Sequence, residues 1–261
     1  MRQIYREKYF VCGDYKEVYI YPCYSQTTKK GCRHSKAKPT TEAQKKLNKR
    51  ITQNKLIRLL NANFTADDLS FDLTYAEENH PDSDKQALSD VKNFLRRLAR
   101  LRKNKGLPEL KYIYVPAKGT KSGRYHHHLV LNGGVSIQEL AKLWGLGYTD
   151  AAALQFNETG LIQKGCYLLK QNAITCHGFC ASRNLIQPQP TVRDGRFSQR
   201  KMYELSQALD DRQEYAKLYE GFTLAEASSF YNEGNSSFYI CVRLYKNDAT
   251  FNGAIRKRRR E

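Results

Sequence analysis

The stretch YHHHLVL, residues 125–131, decides how the centre of this chain is expected to fold. Its aromatic, branched and apolar residues are typical of a β-strand. Because side chains alternate between the two faces of a strand, His126 and His128 are predicted to share one face and His127 to point to the other. Two imidazoles at neighbouring positions on one face can both reach one divalent metal ion. A polar strand without any ligand is the competing interpretation.

The segments around this strand alternate between strand and helix patterns. Ser83 and Ser136 are helix start signals, since a serine side chain can cap the first turn. The glycine-containing turn at 119–123 indicates a hairpin that joins the histidine strand to the strand before it. Strands are predicted at 69–75, 110–115, 125–131 and up to Phe156, and helices over 84–101, 136–144 and 161–171. This order predicts an α+β fold, with an antiparallel sheet of about five strands and helices packed mainly on one face.

The two ends of the chain add further elements. Alternation over 5–23 predicts a hairpin, and a basic helix is expected from Thr41 to about Asn61. A helix over 198–218 and a strand over 238–245 are predicted near the other end. The organisation that follows is a basic hairpin-and-helix arm at 1–63, a core at 64–200, and a C-terminal part at 201–261 that completes the same domain.

Positive charge is concentrated in three regions. The chain has 44 Lys+Arg against 26 Asp+Glu, a formal net charge of +18 over 261 residues. Residues 1–60 hold 15 basic and 4 acidic side chains, 85–124 hold 12 basic and 2 acidic ones, and 256–261 form a basic tail. Focused positive surface attracts polyanions, because neutralising phosphates releases counterions. Nucleic acid is therefore the predicted partner, with a merely solvated basic surface as the alternative.

Several classes of protein are excluded or disfavoured. No stretch of about 18 apolar residues exists, so no membrane partner is predicted. The start of the chain lacks the apolar segment of a signal peptide, and seven scattered cysteines suit a reducing compartment. A cytoplasmic location is predicted. Possible zinc ligands, without paired Cys-x2-Cys spacing, are Cys23, Cys32, His34, Cys166, Cys176, His177 and Cys180. No structural zinc is predicted.

A second candidate for chemistry is GCYLLKQ, residues 165–171, in a predicted helix. Tyr167 and Lys170 are three residues apart and lie on one helix face. A phenol beside a lysine and near a metal can become a nucleophile, because both cations favour the phenolate. The ordinary interpretation is a half-buried tyrosine of the helix.

Three motifs together resemble those of the HUH endonucleases. They are LTY at 73–75, the three histidines that follow SGR at 122–124, and YLLK at 167–170. Within that superfamily the chain most resembles the rolling-circle replication-associated (Rep) proteins of bacterial plasmids and filamentous-like phages. The resemblance covers about residues 64–200.

The resemblance implies an enzyme that nicks single-stranded DNA at a replication origin. His126 and His128 would hold Mg²⁺ or Mn²⁺, and Tyr167 would attack the scissile phosphate to form a 5′-phosphotyrosyl link. Lys170 would assist Tyr167. The implied surroundings are the cytoplasm of a bacterial host, with its helicase and polymerase as partners. The basic side chains expected to contact DNA are Arg96, Arg97, Arg100, Lys118, Lys121 and Arg124.

One position departs from the family pattern. Members usually carry an acidic third ligand nine positions before the first histidine, where this chain has Ala117. Hard cations prefer oxygen ligands, so two imidazoles alone make a weak site. The candidate replacements are Glu77, Glu78 and Glu158, each of which is equally consistent with a solvated surface residue. Ala117 is expected beside the histidines, on the strand paired with theirs.

A second class of function stays open because of Ala117. The chain could be a non-catalytic origin-binding or regulatory protein that keeps the fold without the metal chemistry. Relaxases and single-tyrosine transposases share the nicking chemistry and are further alternatives within the enzyme class.

Overall fold

The computed structural model describes residues 3–24, 41–120, 122–157, 159–171, 173–175 and 178–247. The chain divides into two units. A terminal unit holds Met1–Asn54, Asn157–Gly160 and Gln187–Glu261, and a central unit holds Lys55–Phe156 and Leu161–Ile186. The strands are β1 Gln3–Cys12, β2 Tyr15–Tyr24, β3 Leu69–Thr74, β4 Tyr112–Lys118, β5 Tyr125–Leu131, β6 Thr149–Ala153, β7 Cys180–Ala181, β8 Thr191–Asp194, β9 Phe222–Asn232 and β10 Ser237–Lys246. The helices are α1 Glu42–Asn63, α2 Asp84–Asn104, α3 Ile137–Trp144, α4 Ile162–Lys170, α5 Gln199–Gln207 and α6 Arg212–Leu218.

The α+β fold class is confirmed. Each unit contains a five-stranded antiparallel sheet, with order β6-β3-β5-β4-β7 in the central unit and β8-β1-β2-β10-β9 in the terminal unit. The histidine strand β5 lies in the middle of the central sheet, between β3 and β4. The architecture is consistent with the HUH/Rep-like fold expected from the sequence.

The helices of the central unit begin where the sequence places capping side chains. Ser83 Oγ accepts a hydrogen bond from the Gln86 amide at 3.3 Å at the start of α2. Ser136 and Glu139 form a capping box at the start of α3. That helix ends at Gly145, whose φ of 65° is open to glycine without strain.

Helices cover both faces of the central sheet, whereas the sequence pattern predicted them mainly on one. The face with Phe71 and Leu129 packs against α2 and α3. The opposite face, with Val115 and Val130, packs against α1 and α4. The reason is that β4 and β5 are apolar on both faces, and a sheet of this kind must be covered twice to remove its apolar surface from water.

In the terminal unit the last strand joins the first hairpin. β10 pairs with β2, so that Ile240 lies opposite Ile20. The residues after 200 thus complete the sheet of the N-terminal hairpin, not the core domain as predicted. The predicted helix over 198–218 is two helices, because Asp211 Oδ1 accepts hydrogen bonds from the amides of Gln213 and Glu214 and starts a new helix there.

α4 is held close to α1 by a glycine. A methyl group placed on Gly165 would lie 2.7 Å from Ile57 Cγ1, well inside van der Waals contact. Gly165→Ala is therefore expected to lower the free energy of unfolding by about 1–3 kcal/mol, as overpacking does in a well-filled core. Urea denaturation measures this, with Gln163→Ala on the exposed side of the same helix as the control. An unchanged midpoint for Gly165→Ala would contradict the close packing.

Within the described part of the chain, no helix is long and apolar enough to cross a membrane.

Candidate active site

Residues 125–131 form an extended strand, and its three histidines divide between the two sides of the sheet. His126 and His128 lie on one face, with ring centres 4.9 Å apart. We call these two residues the histidine pair. His127 faces the other way, where its Nε2 lies 2.9 Å from the Tyr75 hydroxyl and its ring contacts Trp144. The alternation predicted from the sequence is what the structure shows.

His127 is part of the core. Its side chain is fully buried, and burial lowers its pKa to about 3. A neutral imidazole held against a tyrosine hydroxyl in the apolar layer under α2 and α3 is a packing group. It takes no part in the site on the opposite face.

His128 faces a carboxylate that the sequence analysis did not select. β3 pairs with β5 so that Asp72 lies directly opposite His128, and Asp72 Oδ1 is 2.9 Å from His128 Nδ1. Among the described residues, His128 Nε2 is buried without a hydrogen-bond partner. A carboxylate beside Nδ1 favours the proton on that nitrogen and leaves the Nε2 lone pair free, as in carboxylate–histidine–metal arrangements. Knowledge of the strand register would have revealed Asp72; the sequence alone does not supply it.

His126 is half-buried at the end of the same face. Its Nδ1 lies 3.4 Å from the Arg124 carbonyl oxygen. Burial, and after it the charge of His128, lowers the pKa of His126. The neutral imidazole is the form that binds metal ions.

Ala117 occupies the position expected from the family pattern. It lies opposite His126 in the β4–β5 ladder, on the face of the histidine pair, and is fully buried. Its methyl group cannot ligate. Glu77 is exposed, 3.6 Å from Arg124 Nη2, and Glu78 is exposed in the same short turn. Glu158 lies outside the described residues.

The residues present fit a divalent ion only as an open site. In the ranges that the structure describes, no group of three or more His, Cys, Asp or Glu side chains is arranged to hold a metal. The histidine pair offers two neighbouring imidazoles, and the unpartnered Nε2 of buried His128 is the atom that a metal would satisfy. Oxygen atoms of a substrate and water would have to complete the coordination.

Tyr167 lies over the histidine pair. It projects from α4, its ring centre is 5.4 Å from that of His128, and its side chain is 45% exposed. Burial, and after it the negative charge of Asp72, raises the pKa of Tyr167. In the protein alone this tyrosine is thus a neutral phenol at pH 7, and its environment does not favour the phenolate as the sequence analysis expected.

The lysine at this tyrosine is Lys164. Its Nζ lies 5.4 Å from the centre of the Tyr167 ring and contacts Ser70 Oγ. Burial lowers the pKa of Lys164, while the charges of Asp72 and Asp150 raise it. Lys170, the predicted partner, is exposed in the last turn of α4. Positions three before and three after a helical tyrosine both lie on its face, so spacing could not choose between the two lysines.

The predicted DNA-binding residues are placed on two sides of the sheet. Arg96, Arg97 and Arg100 are exposed on α2, which covers the face opposite to the histidine pair. Arg124 lies next to the pair in sequence, and Lys118 Nζ is 3.2 Å from the Tyr125 hydroxyl. Lys121 lies outside the described residues, as do four of the possible zinc ligands, Cys32, His34, Cys176 and His177.

Comparison with known proteins places this geometry in a family context. No curated protein and no solved structure matches the chain. Residues 68–171 match a family model for replication-associated proteins of the ORF2 type. That segment runs from the residue before β3 to the residue after α4, and so contains Asp72, the histidine pair, Lys164 and Tyr167. The match identifies this segment as similar to replication-associated proteins and supports a role of the chain in the initiation of replication.

Proposed function

We propose that this chain starts rolling-circle replication by nicking single-stranded origin DNA, with Tyr167 as the nucleophile. The observation that carries the proposal is the position of the Tyr167 ring, 5.4 Å from His128, over two imidazoles that share one face of a central strand. An exposed phenol beside a pair of metal-binding side chains is the arrangement that phosphodiester transfer to tyrosine requires.

The proposed reaction exchanges one phosphodiester for another. Tyr167 Oη attacks the scissile phosphorus, a bond forms between them, and the bond from phosphorus to the 3′ oxygen breaks. The proton lost by the phenol balances the proton gained by the leaving 3′ oxygen. The products are a 5′-phosphotyrosyl link and a free 3′-hydroxyl, which a host polymerase could extend while a host helicase opens the duplex. The proposed setting is the cytoplasm of a bacterial host.

The histidine pair would hold Mg²⁺ or Mn²⁺, which supplies Lewis-acid stabilisation of the charge on the phosphate oxygens. Asp72 would keep His128 in the tautomer whose Nε2 can ligate. With Ala117 in place of a carboxylate, the nitrogen-rich ligand set favours Mn²⁺ over Mg²⁺.

Lys164 would provide positive charge at the reacting phosphate and orient the tyrosine ring. Lys164→Met is expected to slow formation of the protein–DNA adduct at least about tenfold, because a preorganised cation is lost from the site. Lys170→Met removes the same charge from the exposed end of α4 and is the matched control, with less than about twofold effect expected. Adduct formation over time, followed on denaturing gels, measures both. A larger effect of Lys170→Met would restore the lysine predicted from the motif.

The proposal as a whole is tested with a pool of random single-stranded 30-mers that carry a fluorophore at the 3′ end. A 5′-phosphotyrosyl link leaves the label on the protein, so a fluorescent band at the mass of the protein on a denaturing gel reports the reaction. The band is expected with Mn²⁺ and not with chelator.

A non-catalytic origin-binding protein is the second candidate function. Ala117 favours it, because the carboxylate usual at this position is missing and the described residues contain no three-ligand metal group. Sequence-selective binding of single-stranded DNA without any fluorescent adduct would support this candidate over the nicking enzyme.

A further inference from the structure

A groove lies on the central unit, on the sheet face opposite to the histidine pair. Its volume is about 550 Å³, within the range of small-molecule sites. Residues of α2, of β4 and of the segment after β7 line it. We call it the α2 groove. Nothing in the proposed cleavage reaction uses it, since Tyr112 and Tyr114 in its wall project to the side of the sheet that packs against α2.

The wall of the α2 groove presents aromatic and apolar surface. The rings of Tyr112 and Tyr114 have centres 6.0 Å apart. Tyr114 is buried, while Tyr112 is partly exposed and available to a ligand. Leu95 and Leu110 add aliphatic surface beside the two rings. An exposed tyrosine ring in an apolar wall can stack on a nucleobase whatever its sequence.

The rim of the α2 groove is basic on both sides. Lys92 and Arg96, one turn apart and exposed on α2, line one side, and Arg183, exposed after β7, lines the other. The charge of Arg183 lowers the pKa of Tyr112 against the larger effect of burial, which places that cation beside the ring. None of the three cations forms an ion pair with a described residue. Glu109 is the acidic side chain of the lining, so the groove keeps a net positive charge.

We infer that the α2 groove binds an uncleaved part of the single-stranded DNA, with one base on Tyr112 and the adjacent phosphates between Arg183 and the Lys92–Arg96 side. The choice of DNA as ligand rests on the proposed function. Single strands are favoured over duplex because a base in a duplex already has its faces stacked on its neighbours. The groove would hold a strand at a second point while Tyr167 reacts on the other face.

The test measures binding without cleavage. Tyr167→Phe protein is titrated into fluorescein-labelled dT20 and a 20-base-pair duplex, and fluorescence anisotropy gives the affinity. Tyr112→Leu removes the ring but keeps apolar volume, and is expected to weaken dT20 binding at least about fivefold and duplex binding less than about twofold. Arg183→Glu is expected to weaken binding of both and to reduce the salt dependence by about one counterion.

Lys142→Glu, an exposed charge reversal on α3, is the control for charge, with an effect within about twofold expected. Arg183 is exposed, so its variant tests the groove even where Tyr112→Leu lowers stability. The inference is overturned if Tyr112→Leu binds dT20 as the parent does, or if Arg183→Glu and Lys142→Glu weaken binding equally. Its failure is separable from that of the proposed function, which is judged by adduct formation in the wild-type protein.

Discussion

Tyr167→Phe is expected to abolish the covalent protein–DNA adduct, with a loss of nicking of at least about a thousandfold. The substitution removes the one oxygen proposed to attack phosphorus and leaves the ring over His128 in place. Affinity for single-stranded DNA is expected to stay within about twofold, because contacts to phosphates supply most of the binding free energy. Denaturing gels with 3′-labelled DNA measure the adduct, and anisotropy measures the affinity.

Tyr148→Phe is the matched control for this result. Tyr148 belongs to the same unit and its side chain is 77% exposed, so it is an equally accessible phenol away from the histidine pair. Its removal should leave adduct formation unchanged. An adduct that persists in Tyr167→Phe but disappears in Tyr148→Phe would place the nucleophile elsewhere in the central unit.

Asp72→Asn is expected to raise the Mn²⁺ concentration needed for half-maximal nicking by about tenfold to a hundredfold. Partners that hold a metal-binding histidine from behind contribute on this scale. The amide keeps the size of the side chain but loses the charge 2.9 Å from His128 Nδ1. Calorimetric titration of Mn²⁺ into DNA-free protein gives a readout independent of turnover, which a purely structural role of Asp72 would leave unchanged.

Asp150→Asn serves as the control, because Asp150 lies opposite Asp72 on the next strand and is exposed. It carries the same charge change without a contact to the histidine pair. Equal Mn²⁺ curves for wild type and Asp72→Asn would show that the carboxylate does not act through His128.

The parts of this structure that sequence could predict are those fixed by local spacing. The period of two in a strand places His126 and His128 on one face and His127 on the other, without any knowledge of the rest of the fold. Ser83 and Ser136 likewise cap helices through hydrogen bonds to amides three residues away. Ala117 could be placed opposite His126 because a short hairpin sets the register of its two strands.

The parts that could not be predicted depend on contacts between distant segments. Asp72 reaches His128 through a pairing across 56 positions, and its own strand contains no feature that marks it as special. Lys164 and Lys170 are equivalent in helical spacing from Tyr167, and only the packing of α4 over β3 separates them. The pairing of β10 with β2 joins the two ends of the chain, and loop closure over such lengths leaves no local signature.

Mapping the site of DNA attachment tests the central claim most directly. Adduct formed with Mn²⁺ is digested with nuclease and then with trypsin, which releases residues 165–170, GCYLLK, as one peptide. Mass spectrometry should find the residual nucleotide on Tyr167 in this peptide, and no modified peptide from a reaction run in chelator. A nucleotide on a different tyrosine, or an adduct that forms equally well in chelator, would contradict metal-assisted attack by Tyr167.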